Sequence, residues 1–225
     1  MIYIIPTKRG MGVEIWGTYD DLTNLYDVIA KFWNDENYLN KSGFETRDKV
    51  ISSFSYEIRK AKEGCRLTRK TSHFSTDERD YFGCQISWVQ FLFSLTAIKF
   101  NMRFYETNKF DIAQIMLIEF WLEQAMKNFD ASTAVKLVGF IEDGLYGANK
   151  CLYQYMRSIN LDFYLLSGGK TAFKKLADLL RKGVFFTNEY REYEKFLLQD
   201  AKRLDCEVTE LELSDEHIDY EKFEW

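Results

Sequence analysis

The sequence predicts an α+β protein in which a small N-terminal antiparallel sheet, carrying one or two helices, precedes a larger, mostly helical portion. Three observations lead to that class. Up to residue 88 the apolar residues come in short runs or strict alternation bounded by glycines, the pattern of strands, interrupted by two helical stretches. Beyond Trp88 they recur at helical spacing with few breakers. The single proline, Pro6, and the lack of any Ser/Gly/Pro-rich linker leave no strong internal boundary. The chain therefore divides into a sheet unit over 1–88, a helical portion over 89–205 packed on it, and an acidic, aromatic strand or tail over 206–225.

Taken in order, Ile2 to Ile5 is a short apolar run, and Val13, Ile15 and Gly17 alternate with Glu14, Trp16 and Thr18. The connection Lys8-Arg9-Gly10-Met11-Gly12 supplies two glycines for a tight turn, so the opening reads as a β-hairpin. Thr18 followed by Asp21 resembles a capping box, and Leu22, Leu25, Tyr26, Ile29, Phe32 and Trp33 continue as a helix. The polar stretch 34–42 ends it. Val50, Ile51, Phe54 and Ile58 place a second helix over Thr46 to Lys62, with Gly64 as its stop. Cys65 to Ser72 and Tyr81 to Trp88 then read as two strands.

After Trp88, helical periodicity runs through Val89–Phe104, Phe110–Asn128, Ser132–Leu145, Asn149–Ser158, Lys170–Lys182 and Asn188–Leu204. Asn108 and Ser132 are the expected N-caps and Gly183 a C-cap. Phe91 to Phe104 is apolar nearly all round, which marks a central helix covered on several sides. Cys206 to Leu213 alternates as a strand but slips phase at Thr209-Glu210, so a strand there requires a bulge. Its expected destination is an edge of the N-terminal sheet.

The stretch IIPTKRGMGVEIWGTYDDLTNLYDVI and the later CQISWVQFLFSLTAI resemble a family of uncharacterised bacterial proteins, a domain of unknown function of about this size. The resemblance covers roughly the first 145 residues, and its motifs concern packing. It implies a bacterial, cytosolic accessory protein with an N-terminal hairpin and helix and a helical C-terminal part. It brings no activity and no catalytic residue.

Composition narrows the function classes. Hydrophobic residues make up 46% of the chain and aromatic residues 17%, ample for a large core. The N-terminus lacks the basic region and long apolar run of a signal peptide. The longest apolar stretch, Ile86 to Phe100, is interrupted by five polar residues and reads as a buried helix rather than a membrane span. Cys65, Cys84, Cys151 and Cys206 are far apart in sequence and fit reduced, mostly buried thiols of a cytoplasmic protein; their spacing excludes CxxC zinc sites. No metal and no cofactor is expected.

Candidate chemistry comes from three places. Ser167-Gly-Gly-Lys-Thr171, after the strand-like Phe163 to Leu166, has the setting of a phosphate-binding loop, with Gly169, Lys170 and Thr171 as anion contacts. The first glycine of such a loop would fall at Tyr164, however, where a ring obstructs the wrap. The stretch 59–70 holds six bases and one acid, and Arg59, Lys60, Arg66, Arg69 and Lys70 are its candidate contacts to a nucleic acid. A chain of net charge −5 opposes that reading. Glu119 and Glu123 share a helix face, where Lys127 is the expected partner, and Glu142-Asp143-Gly144 reads as a helix end. His73 and His217 stand in no triad-like context.

The last nineteen residues carry eight acids and one base, Lys222, so the body before them is weakly positive. Apolar side chains threaded through those acids suit docking: Ile218, Tyr220, Phe223 and Trp225, with Asp215 and Glu216, are the candidate contacts to a protein partner. Packing of this tail on its own chain, including on the basic stretch, and packing across a homo-oligomer remain alternatives. The expectation is a non-enzymatic interaction or accessory protein, such as an immunity, inhibitor-like or complex-subunit role. The alternative is an enzyme acting on a nucleotide or nucleic acid through the glycine turn and the basic stretch.

Overall fold

Strand β1 (Tyr3–Pro6) and strand β2 (Gly12–Gly17) pair antiparallel with Ile4 opposite Ile15. β2 also pairs with β4 (Arg79–Ser87), which receives β3 (Leu67–Thr71) on its other side. The sheet order is β1-β2-β4-β3, antiparallel throughout. Alternation assigns the two faces. Ile2, Ile4, Val13, Ile15, Cys84 and Ile86 point into the core and are at most 2% exposed. Tyr3, Trp16, Arg69 and Tyr81 share the opposite face, where the Arg69 guanidinium lies 4.6 Å from the Trp16 ring and 4.9 Å from that of Tyr3. Gly83 lies beside Trp16; a Cβ there would sit 2.8 Å from the indole.

The molecule is a computed structural model that describes residues 1–33, 35, 41–71, 79–216, 218–219 and 224–225. Helix α1 (Tyr19–Ala30) opens with the expected capping box, Thr18 and Asp21 bonding each other's backbone N–H. Helix α2 (Phe44–Lys62) lies against α1 and β4. It ends at Gly64, whose φ of +73° lets the Gly64 and Cys65 N–H groups bond the carbonyls of Ala61 and Lys60. Helix α3 (Trp88–Asn101) is the central element, and Trp88, Phe91, Leu92, Phe93, Leu95 and Ile98 are wholly buried. Its apolar circumference is explained by neighbours on several sides: α2, α4, α5 and the sheet.

Helix α4 (Lys109–Glu142) begins at the expected Asn108 cap and is broken at Asp130, whose φ of −155° and ψ of 100° are not helical. Asp130, rather than Ser132, caps the second half. Its carboxylate accepts from the Thr133 N–H at 2.9 Å and the Ser132 hydroxyl at 2.6 Å. Helices α5 (Leu152–Tyr164), α6 (Gly169–Leu180) and α7 (Asn188–Leu204) complete the body. A 3₁₀ turn at Arg181–Gly183 follows α6 directly, so Gly183 closes that turn. Buried residues from Ile2 to Leu211 form one continuous core cluster.

Two sequence expectations are corrected. Phe163 to Leu166 is not a strand: Phe163 and Tyr164 end α5, and the Leu165, Leu166 and Ser167 N–H groups bond back to Leu161, Phe163 and Tyr164. A short apolar run fits a buried helix as well as a strand. Cys206 to Leu213 does not return to the sheet either. Glu207 and Glu210 form a capping box around a 3₁₀ turn at Val208–Glu210, which puts Leu211 into the core and leaves Val208 half-buried. The phase slip at Thr209-Glu210 is the sequence trace of that turn.

Candidate ligand-binding cleft

A cleft of about 850 Å³ lies between the start of α2, the end of α3, the start of α5, and α7 with the turn after it. Its floor depends on Arg47. The buried stripe of α2 runs through Phe44, Arg47, Ile51, Phe54 and Ile58, so the period that buries the apolar residues also buries the guanidinium. Arg47 is 0% exposed. Nε donates to Asn101 Oδ1 at 2.7 Å, Nη1 to the Gly147 carbonyl at 3.3 Å, and Nη2 to that of Ser42 at 3.3 Å. The guanidinium carbon lies 4.5 Å from the Phe100 ring centroid. Asn101 is oriented by donating through Nδ2 to the Phe32 carbonyl at 2.8 Å.

Every one of these acceptors is neutral, and among the described residues no carboxylate lies within ion-pair distance of Arg47. Burial accordingly lowers its pKa to about 10, against the partial opposition of Asp48. Gly43 makes the arrangement feasible. Its φ is +73°, and a Cβ there would come within 2.8 Å of Arg47 Nη1 and 2.9 Å of the Asn149 carbonyl. Thr46, also buried, donates to the Lys150 carbonyl at 2.9 Å and ties α2 to the segment before α5.

The walls are aromatic. Tyr146 and Phe185 stack at 4.2 Å, Phe186 sits 3.8 Å beyond Phe185, and Tyr155 stacks on Tyr190 at 4.9 Å. Near the cationic floor, Phe100 and Phe104 meet edge to face, with Lys41 Nζ 4.0 Å over Phe104. Glu194 and Glu207 line the α7 side and Lys150 the α5 side. Cys151, Tyr155 and Tyr190, between them, favour their neutral forms. Burial, with Glu194 nearby, pushes the Cys151 thiol up to about 11 and the Tyr190 phenol up to about 12; Tyr155 is raised further.

The C-terminal segment supplies one wall. Gln154 Nε2 on α5 donates to the Thr209 carbonyl at 2.9 Å and to that of Leu211 at 3.3 Å. One turn on, Arg157 pairs with Asp215 at 3.0 Å. Farther along α5, Tyr164 shares a shallow groove with Trp225, Arg66 and Tyr56. The Arg9 N–H donates to the Trp225 carbonyl at 2.9 Å, and the Arg9 guanidinium lies 3.6 Å from Glu224. The described residues of the acidic segment thus lie against their own chain, with Asp215 on Arg157 and Glu224 near Arg9. Of the docking candidates, Asp215, Ile218 and Trp225 are half-buried and Glu216 is exposed, while Tyr220 and Phe223 lie outside the described residues.

The basic stretch is largely matched by local partners. Arg66 grips Glu57 through Nε at 2.7 Å and Nη2 at 3.0 Å, Lys60 and Arg59 reach Glu63 at 2.8 and 4.0 Å, and Arg69 faces aromatic rings. Lys70 is exposed on β3. The glycine turn lacks the phosphate-loop setting because a helix precedes it. Gly169 donates its N–H to the Arg9 carbonyl at 2.5 Å, so the β1–β2 turn occupies the place an anion would take. Lys170 and Thr171 are exposed on α6. Glu119 pairs with Lys99 and Glu123 with Lys127, and His73 and His217 lie outside the described residues. Cys84 is buried, Cys151 and Cys206 are half-buried, and Cys65 is exposed; all four are free.

A family model for a domain of unknown function, DUF6904, matches residues 2–225. The chain belongs to that family. No curated protein and no solved structure matches it. The family match reaches through the helical portion to the C-terminal wall, so the whole cleft lies inside the family's domain. No local pattern in the sequence marks the cleft, whose walls come from four separated stretches. One trace was available: Arg47 is the lone cation on the apolar stripe of its helix. Among the described residues no group of three or more His, Cys, Asp or Glu is placed to hold a metal ion. No described helix is long and apolar enough to cross a membrane.

Proposed function

We propose that the protein acts by binding rather than by catalysis, and that the aromatic cleft is its recognition surface. One observation carries this reading. This cleft is walled by stacked tyrosine and phenylalanine rings, and burial favours the neutral forms of the Cys151 thiol and the Tyr155 and Tyr190 phenols. A largely apolar pocket with a few fixed polar groups suits a ligand of matching shape. A nucleophile or general base would instead need a pKa moved toward neutrality. The accessory role expected from the sequence, in a bacterial cytoplasm, is compatible with four unpaired cysteines. An inhibitor-like or complex-subunit role would use the same cleft and its rim, where Phe186 and Leu198 are more than half exposed. A nucleotide-directed enzyme has less support, since the Gly169 N–H is already bonded to Arg9.

The test is uptake of a neutral apolar fluorophore, N-phenylnaphthylamine, by the full-length protein. Its emission should rise and saturate. The filling variants Ala148→Trp and Leu198→Trp, each at a lining position that is not fully buried, should abolish the rise. Equal uptake by the filled variants would refute the cleft as the binding surface.

A further inference from the structure

The charge distribution around the cleft narrows the ligand class, and this step rests on the binding reading above. Arg47 is a fully buried cation whose hydrogen-bond partners are all neutral. A buried guanidinium with no carboxylate at ion-pair distance among the described residues, and only partial opposition from Asp48, lends positive potential to the cleft it underlies, whose low-dielectric walls focus it. Helix α5 starts at the same end. Its N-cap residue, Cys151, lines the cleft and offers no side-chain cap; Asn149 Oδ1 takes the Cys151 N–H at 2.8 Å, and the positive end of this thirteen-residue helix borders that space. Lys41 and Lys150 line this side as well, whereas the acids, Glu194 and Glu207, belong to α7 and the turn after it. Between the two ends lie the flat faces of Tyr146, Phe185 and Tyr190.

We infer that the cleft takes a flat, apolar small molecule bearing one anionic group, a carboxylate or a phosphate, with the anion at the α5 N-terminus above Arg47 and the body against the Tyr146–Phe185 stack. The guanidinium need not touch the ligand. It is covered by its own partners and fixes the sign of the potential, while backbone N–H groups of the helix start and the lysines at the rim make direct contact. Binding of the anion adds to the counter-charge that Asp48 supplies only in part.

The experiment uses the full-length protein and four matched naphthalene probes in calorimetric titrations: the carboxylate (naphthoate), the phosphate (naphthyl phosphate), the neutral amide (naphthamide) and the cation (naphthylmethylammonium). At least one of the two anions should bind roughly ten- to a hundred-fold more tightly than the amide, the range expected when a hydrogen bond gains a charge. The cation should bind more weakly still. Which anion is the tighter tells a carboxylate ligand from a phosphate one. The Ala148→Trp variant should lose the binding, and Lys41→Gln with Lys150→Gln should weaken the anions without affecting the amide. Equal affinity for both anions, amide and cation would overturn the inference and leave the cleft standing as an apolar binding site. Failure of all four probes, together with failure of N-phenylnaphthylamine, would overturn both.

Discussion

Arg47→Met tests whether the buried cation serves the fold or the cleft. Methionine keeps the apolar stem and removes the charge. The 2.7 Å bond from Nε to Asn101 is charge-assisted, and losing it strands a buried amide oxygen, at about 2 kcal/mol. The two 3.3 Å bonds to carbonyls add about 1 kcal/mol together, and the contact with Phe100 about another 1. Against this total of about 4 kcal/mol stands the relief of desolvation, several kcal/mol for one buried ion. The terms nearly cancel, so Arg47→Met should fall within about 2 kcal/mol of the parent in urea unfolding. Asn101→Ala should do more damage although it deletes a smaller side chain. It leaves the charged Nε–H without an acceptor and the Phe32 carbonyl without a donor, at about 2–4 kcal/mol. The ordering is the decisive outcome. A loss above about 4 kcal/mol for Arg47→Met, with Asn101→Ala milder, would mean that the charge holds the fold together and would remove the reason for assigning it to a ligand.

Other perturbations have equally definite outcomes. Gly43→Ala forces a side chain onto a φ of +73° and against Arg47 and Asn149, so it should cost about 1–3 kcal/mol in the same urea titration. The Ser132 hydroxyl and the Thr133 N–H hold the Asp130 carboxyl down to about 2 from its ordinary 3.8. A carboxyl with a depressed folded pKa stabilises above its unfolded value and loses that contribution as pH falls through the folded one. The melting temperature of the parent should therefore drop between pH 4 and 2 more steeply than that of Asp130→Asn; parallel curves would refute the cap. Gln154→Leu removes the bonds that hold Thr209 and Leu211, and limited proteolysis should then cut after residue 205 several times faster than in the parent.

Legibility from sequence followed the range of the interactions involved. Local rules sufficed for the Thr18–Asp21 capping box, the Asn108 cap, the Gly64 stop and the four strands, because each is settled within a few residues. The all-apolar α3 was equally plain, since only a helix covered on several sides can bury such a circumference. Phe163 to Leu166 misled because a four-residue apolar run has no measurable period, and that one error lent the glycine turn its phosphate-loop look. The charge of 59–70 was visible, but Glu57 and the aromatic face that absorb it were not, because those partners come from sheet and helix packing. The cleft was the least legible. Arg47, Tyr146, Tyr190 and Thr209 come together only through tertiary packing, and no local rule links them.

The acidic end and the cleft are two parts of one construction. Alternation of acids with apolar residues looked suited to a free docking peptide, yet Gln154 and Arg157, three residues apart on one face of α5, each hold a point of that segment. The turn at Val208–Glu210 thereby lines the cleft, and Lys49 of α2 also reaches it, donating to the Thr209 carbonyl at 3.4 Å. A wall latched mainly by backbone carbonyls and one partly exposed ion pair is among the less costly parts of the fold to displace. The body of the cleft, by contrast, is fixed by wholly buried residues such as Arg47, Thr46 and Asn101. Under the binding role proposed above, the C-terminal wall is the part of the cleft that would yield most readily to an entering ligand. Two acids of the segment have partners in cis, Asp215 on Arg157 and Glu224 on Arg9, so part of its charge is taken up by its own chain.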